Sequence, residues 1–143
     1  MSVEEVIEQA ILEDIGDGDH TSLSTIPKDA TGKAELLIKE KGVIAGMRIA
    51  NMVFHKIDKE IRFTRLLNDG EQVSPGDIAF FVEGRSVSIL MAERLALNFM
   101  QRMSGIATFT RILTEKIQGT KAVILDTRKT TPNLRELEKE AVR

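Results

Sequence analysis

The sequence predicts an α+β fold, with a small α/β unit, a helical connector and the opening of a further parallel α/β segment. Three observations predict it. Within residues 1–84 the apolar residues switch between helical spacing and alternation several times. From 87 to 99 they surround a helix almost completely, interrupted by Glu93, Arg94 and Asn98, which is the pattern of a helix buried in a core or at an interface. The short apolar run Ala122, Val123, Ile124, Leu125 then has the character of a parallel strand covered on both faces.

Each element follows from local pattern. Val3, Val6, Ile7, Ala10 and Ile11 recur at helical spacing, with Ser2 placed as N-cap and Glu5 where a capping box requires it. That helix is expected to end near Ile15, before the turn-rich Gly16, Asp17, Gly18, Asp19. Residues 33–39 (KAELLIK) read as a strand and 43–45 as another, joined by a turn at 40–42. Residues 47–57 return to helical spacing, 61–67 alternate as a strand, and 78–82 form a further strand after the turn Ser74, Pro75, Gly76, Asp77. Ser104 and Gly105 are expected to bend or break the connector, with a second helical stretch to Ile117. A loop at 126–132 and a helix at 133–142 follow the apolar run. The expected divisions are 1–84, 85–120 and 121–143. One βα unit cannot bury both faces of its strand, and a whole α/β barrel takes about 250 residues. The chain therefore reads as truncated, or as dependent on something else to cover its end.

Composition narrows the function. Lys and Arg number 20 against 22 acids, for a net charge of -2, so wholesale binding to nucleic acid or an anionic membrane is disfavoured. An anionic ligand would need a local cluster of cations. With no cysteine there is no disulfide and no thiolate metal site, which fits a cytoplasmic protein. The acidic N-terminus is no signal peptide, and no apolar run approaches the roughly 20 residues of a membrane span.

The richest chemistry lies at 126–132. Arg128 and Lys129 come directly after the apolar run, where ligands bind in parallel α/β folds. Arg offers a planar fork for carboxylate or phosphate and Lys a compact charge, with Thr127, Thr130 and Thr131 adding hydroxyls. Asp126 is positioned in sequence to hold Arg128. The alternative is a surface loop whose cations pair with nearby acids. Arg94 is the second candidate, since a charge among Leu90, Met91 and Leu97 must be paired, face a polar cavity or reach solvent. Its alternative is a local pair with Glu93 or Asn98. The acidic stretch 16–22 lacks the spacing of a calcium loop and reads as a turn with local hydrogen bonds. His20 and His55 share no motif, and the methionines read as core filler. No glycine-rich phosphate loop is present.

Four motifs, in order along the chain, resemble the quinolinate phosphoribosyltransferase family. They are EDIGDGDHTS (13–22), AERLALNFMQRMSGIAT (92–108), LDTRKTTP (125–132) and LEKEAVR (137–143). The resemblance implies an N-terminal open α/β sandwich followed by an incomplete α/β barrel, in a homodimer or higher oligomer. It implies transfer of a phosphoribosyl group from phosphoribosyl pyrophosphate to quinolinate, with decarboxylation, giving nicotinate mononucleotide for NAD biosynthesis. Magnesium (Mg2+) would accompany the donor. By position, Arg94 matches an arginine that reaches across the dimer interface into a partner's site. Arg128 and Lys129 match the pair that binds quinolinate carboxylates and donor phosphates. Two residues depart from the family pattern, Asn133 in place of glycine and Glu140 in place of an aromatic. The family's remaining active-site residues would lie beyond Arg143, so this chain alone is expected to be inactive. Two alternatives remain at this point. One is a related homologue of molybdate transport. The other is a lipoyl- or biotinyl-like sandwich module, suggested by LLNDGEQVSPGDIAFF (66–81) but lacking a Met-Lys-Met tip.

Overall fold

The computed structural model describes residues 1–16 and 25–143. The acidic turn expected at 16–22, His20 included, lies outside the described residues apart from Gly16. Helix α1 spans Val3–Ile15 and carries the expected capping box. The Glu5 amide donates to Ser2 Oγ (3.2 Å) and the Ser2 amide to Glu5 Oε2 (2.7 Å), which holds the Glu5 carboxyl below its ordinary range. Val3, Val6 and Ile7 are its buried face.

Three strands form an antiparallel sheet in the order β1 (Thr31–Leu37), β5 (Ile78–Arg85), β3 (Arg62–Arg65). The central strand pairs Ala34 with Val82 on one side and Phe63 with Val82 on the other. Two short strands, β2 (Gly42–Val43) and β4 (Gln72–Val73), pair in a separate antiparallel ribbon. The glycine turn at 74–77 thus joins strands of two different sheets. It is not the tip of one hairpin. Helix α2 (Met47–Ile57) falls on the predicted residues and buries Ile49, Ala50, Val53 and Phe54. Phe54 meets Phe80 edge-on, and Phe63 stacks on Phe80 at 4.5 Å between centroids.

Helix α3 (Ser86–Lys116) is unbroken across Ser104 and Gly105, contrary to the sequence expectation. The cause is where the Ser104 hydroxyl goes. It accepts from the Ala45 amide (2.9 Å) and donates to the Ala45 carbonyl (3.1 Å), so it does not compete for its own helix's backbone. One turn on, Thr108 Oγ1 treats Val43 in the same way, at 2.9 Å and 3.3 Å. The backbone from β2 to Gly46 thereby lies directly on α3. Gly46 has a φ of +95°, and a Cβ there would stand 3.3 Å from the Met100 Cα. The helix is not buried all round. Ala92, Ala96, Phe99, Met103 and Ala107 face the core, whereas Leu90, Phe109, Ile112 and Leu113 are exposed.

The predicted strand at 122–125 is absent. The segment has no strand pairing, and Val123 and Leu125 are 78% and 83% exposed. A strand exists only through a partner's hydrogen bonds, and none of the described strands pairs with this segment. Helix α4 (Arg135–Val142) starts two residues later than expected and packs Leu137 and Ala141 against the core. Asn133 precedes it with a φ of 69°, the left-handed conformation that asparagine tolerates best after glycine. Glu140 accepts from the Arg48 Nη2 (2.6 Å), linking α4 to α2.

Candidate functional site

The loop at 126–132 has no regular secondary structure, so side chains and local turns set its course. Asp126 Oδ1 accepts from the Thr127 amide (2.7 Å), and Thr127 Oγ1 from the Lys129 amide (3.0 Å). Asp126 does not hold Arg128. Its carboxylate lies 3.8 Å from Lys139 Nζ on α4. Arg128 is held through its backbone carbonyl, which accepts from Arg135 Nη2 (3.3 Å), while Arg135 Nε donates to Thr130 Oγ1 (3.0 Å).

The tightest anchor is Glu138, which is 8% exposed. One carboxylate oxygen accepts from Arg102 Nε (2.9 Å) and Nη2 (2.6 Å), and the other from the Thr131 amide (3.1 Å). Arg102 Nη2 also donates to Thr131 Oγ1. Burial pushes the Glu138 carboxyl up, but the hydrogen bonds from Thr131 and Arg102 outweigh it and hold the group below its ordinary range. Sequence reasoning did not single out Arg102 or Glu138. The available signal was Glu138 lying between Leu137 and Ala141 on the apolar face of α4, a place where a carboxylate needs a cation.

Arg128 and Lys129 are exposed, and among the described residues neither side chain makes a hydrogen bond or ion pair with the protein. Their neighbours Arg102, Arg135 and Lys139 are all engaged by the protein itself. The open cleft of about 460 Å³ beside the loop is lined by residues including Thr130, Thr131, Arg135 and Lys139. Arg94 lies apart. It is two turns before Arg102 on α3, about 12 Å along the axis. Its guanidinium meets Asp14 at the end of α1, Nε to Oδ1 at 2.9 Å and Nη2 to Oδ2 at 3.3 Å. Neither Glu93 nor Asn98 accepts these two bonds. The arginine side chain is 64% exposed, so this surface pair adds little stability.

His55 Nε2 lies 2.8 Å from the Ile61 carbonyl, tying α2 to the start of β3. Met47 and Met100 are buried in the core. Asp58 accepts from the buried Ser88 hydroxyl (2.6 Å) and from the Glu60 amide (3.0 Å), which hold its carboxyl below the ordinary range. Among the described residues no three His, Cys, Asp or Glu stand together as a metal site, and no helix is long and apolar enough to cross a membrane.

Fold and loop together define a mixed α+β chain in which a small open-sheet unit leads through one long helix to a cation-bearing loop. Residues 19–104 match the quinolinate phosphoribosyl transferase N-terminal domain, and residues 106–143 the C-terminal domain of the same family. The chain belongs to the quinolinate phosphoribosyltransferase family. It is 46% identical over 138 residues to quinolinate phosphoribosyltransferase (decarboxylating) 1b of Nicotiana tabacum, covering 96% of this chain and 39% of that protein. It is 37% identical over 143 residues to the probable nicotinate-nucleotide pyrophosphorylase (carboxylating) of Bacillus subtilis, covering 49% of it. The crystal structure of NadC from Streptococcus pyogenes matches with a TM-score of 0.94 at 36% identity, over 98% of this chain and 50% of that one. The chain thus spans half or less of the length of these relatives.

Proposed function

We propose that this chain contributes the N-terminal half of an enzyme that transfers a phosphoribosyl group to quinolinate. The ring nitrogen of quinolinate attacks the anomeric carbon of phosphoribosyl pyrophosphate and pyrophosphate leaves with the bonding electron pair. The 2-carboxylate then departs as carbon dioxide, the ring carbon takes a proton, and nicotinate mononucleotide remains. The observation that carries this reading is the pair Arg128 and Lys129. Within a cluster of cations they are the two that the protein leaves unpaired among the described residues. Quinolinate is a dicarboxylate and the donor a polyphosphate, so both need fixed positive charge to bind and orient them. Arg128 suits a carboxylate or phosphate edge, and Lys129 adds a point charge. Magnesium would supply charge neutralisation of the donor's phosphates. Among the described residues no three His, Cys, Asp or Glu side chains stand together to hold it.

Arg94 is proposed to serve a neighbouring subunit in a homodimer or larger homo-oligomer. Its exposure beside the exposed Leu90, remote from the loop, supports that role. A cytoplasmic location agrees with the lack of cysteine, although an Arabidopsis thaliana relative is named as chloroplastic. The test is release of pyrophosphate with quinolinate, phosphoribosyl pyrophosphate and magnesium. The complete protein is expected to turn over and the 143-residue chain alone to show none. Robust turnover by the 143-residue chain would sink the view that essential residues lie outside it.

A further inference from the structure

The order of a loop without secondary structure must come from somewhere, and here it traces to one arginine of the connector helix. Thr131 is held at two atoms, its amide by Glu138 and its hydroxyl by Arg102. Glu138 itself is buried and would be an uncompensated charge without the guanidinium fork that meets it. Arg102 sits on the stretch of α3 whose next residues, Met103 and Ser104, are locked to the core and to Ala45. From the loop side, Arg135 fixes the Arg128 carbonyl and Thr130.

We propose that Arg102 is a positioning residue, which through Glu138 and Thr131 fixes the loop to α3 so that Arg128 and Lys129 are presented to an anion in one arrangement. The part of this concerning the anion rests on the functional reading above. The part concerning the loop does not. Arg102 contributes geometry as well as charge, because its fork reaches Glu138 and Thr131 together. A lysine keeps the charge and loses the fork.

Trypsin reads both parts, since it cuts after Arg128 and Lys129 and its rate follows how often the loop opens. In the 143-residue chain, Arg102→Gln is expected to speed cleavage at these two bonds about tenfold or more, the worth of one lost charge-assisted contact. Cleavage after Lys41, beside the β2 backbone that Ser104 and Thr108 hold, is expected to keep its rate. Arg102→Lys should restore the melting temperature but leave loop cleavage several-fold above wild type. In the longer enzyme proposed above, quinolinate should slow cleavage of the wild-type loop, and Arg102→Gln should need at least about tenfold more quinolinate for the same protection. Loop cleavage unchanged by Arg102→Gln overturns the proposal, and so does an equal acceleration after Lys41, which would mark a general loss of stability. Full restoration by lysine overturns the role of the fork. If quinolinate gives no protection to wild type while Arg102→Gln still opens the loop, the loop anchor stands and the substrate reading fails.

Discussion

Two stretches of backbone are fastened to the same helix by different means. Residues 42–46 lie on α3 through the uncharged hydroxyls of Ser104 and Thr108, surrounded by buried Val43, Ile44, Met100 and Met103. Residues 126–132 are fastened through Arg102 and Glu138, with exposed Val123 and Leu125 just before them. The difference follows from burial. In the core a hydroxyl satisfies backbone groups without bringing in a charge that needs solvation. At the rim, charge-assisted bonds can hold a segment that buries too little apolar surface to hold itself.

Substitutions can sharpen that contrast. The largest effect is expected on the core side. Met103→Ala removes a side chain that is 1% exposed and should cost about 2–5 kcal/mol in urea unfolding. Arg128→Ala or Lys129→Ala, made in the longer enzyme proposed above, should lower turnover by about 2–4 kcal/mol of transition-state stabilisation, on the order of a hundredfold. The melting temperature should barely move, because an exposed loop charge is worth within about 0.5 kcal/mol to the fold. Full activity with a clear fall in melting temperature would instead make these two a structural pair. Asp58→Ala would strand the buried Ser88 hydroxyl at the start of α3 and should cost about 1–3 kcal/mol by the same urea measurement.

Acid should act on the charged fastenings before the uncharged ones. Glu138 and Asp58 have folded-state pKa values below their ordinary ones. Their contribution is fully present above the unfolded values, about 4, and is lost as pH falls through the lower folded values. Thermal melts should therefore be flat from neutral pH to about 5 and fall below it. Glu138→Gln should make that fall shallower, and an unchanged slope would remove Glu138 from the account. The smallest effect is expected for Leu125→Ser. This side chain is 83% exposed, so the change should stay within about 0.5 kcal/mol.

The helices α1 and α2 were legible in the sequence because period and capping are local properties. The local pattern puts the first strand two residues late, since its bounds are set by pairing with β5 rather than by its own residues. The continuity of α3 was not legible, because it depends on Ala45 lying within reach of Ser104, 59 residues away in sequence. The strand expected at 122–125 fails for the complementary reason, since an apolar run supplies the propensity and a neighbour must supply the bonds. Arg128 and Lys129 could be picked out because two cations stand together after an apolar run. Arg102 and Glu138 lie 36 residues apart, and their meeting exists only once α4 has folded back on α3.

Arg102 and Ser104 are two positions apart, about 200° around the helix. Polar bonds therefore grip α3 on nearly opposite flanks within about 3 Å of the same height, the loop from one side and the β2 crossing from the other. A spindle clamped at two opposed points cannot roll. A turn of even part of one residue's roughly 100° would strain both grips together. Rolling of the rod about its own axis would therefore have to break bonds on both flanks, whereas translation or tilt of the whole rod would not.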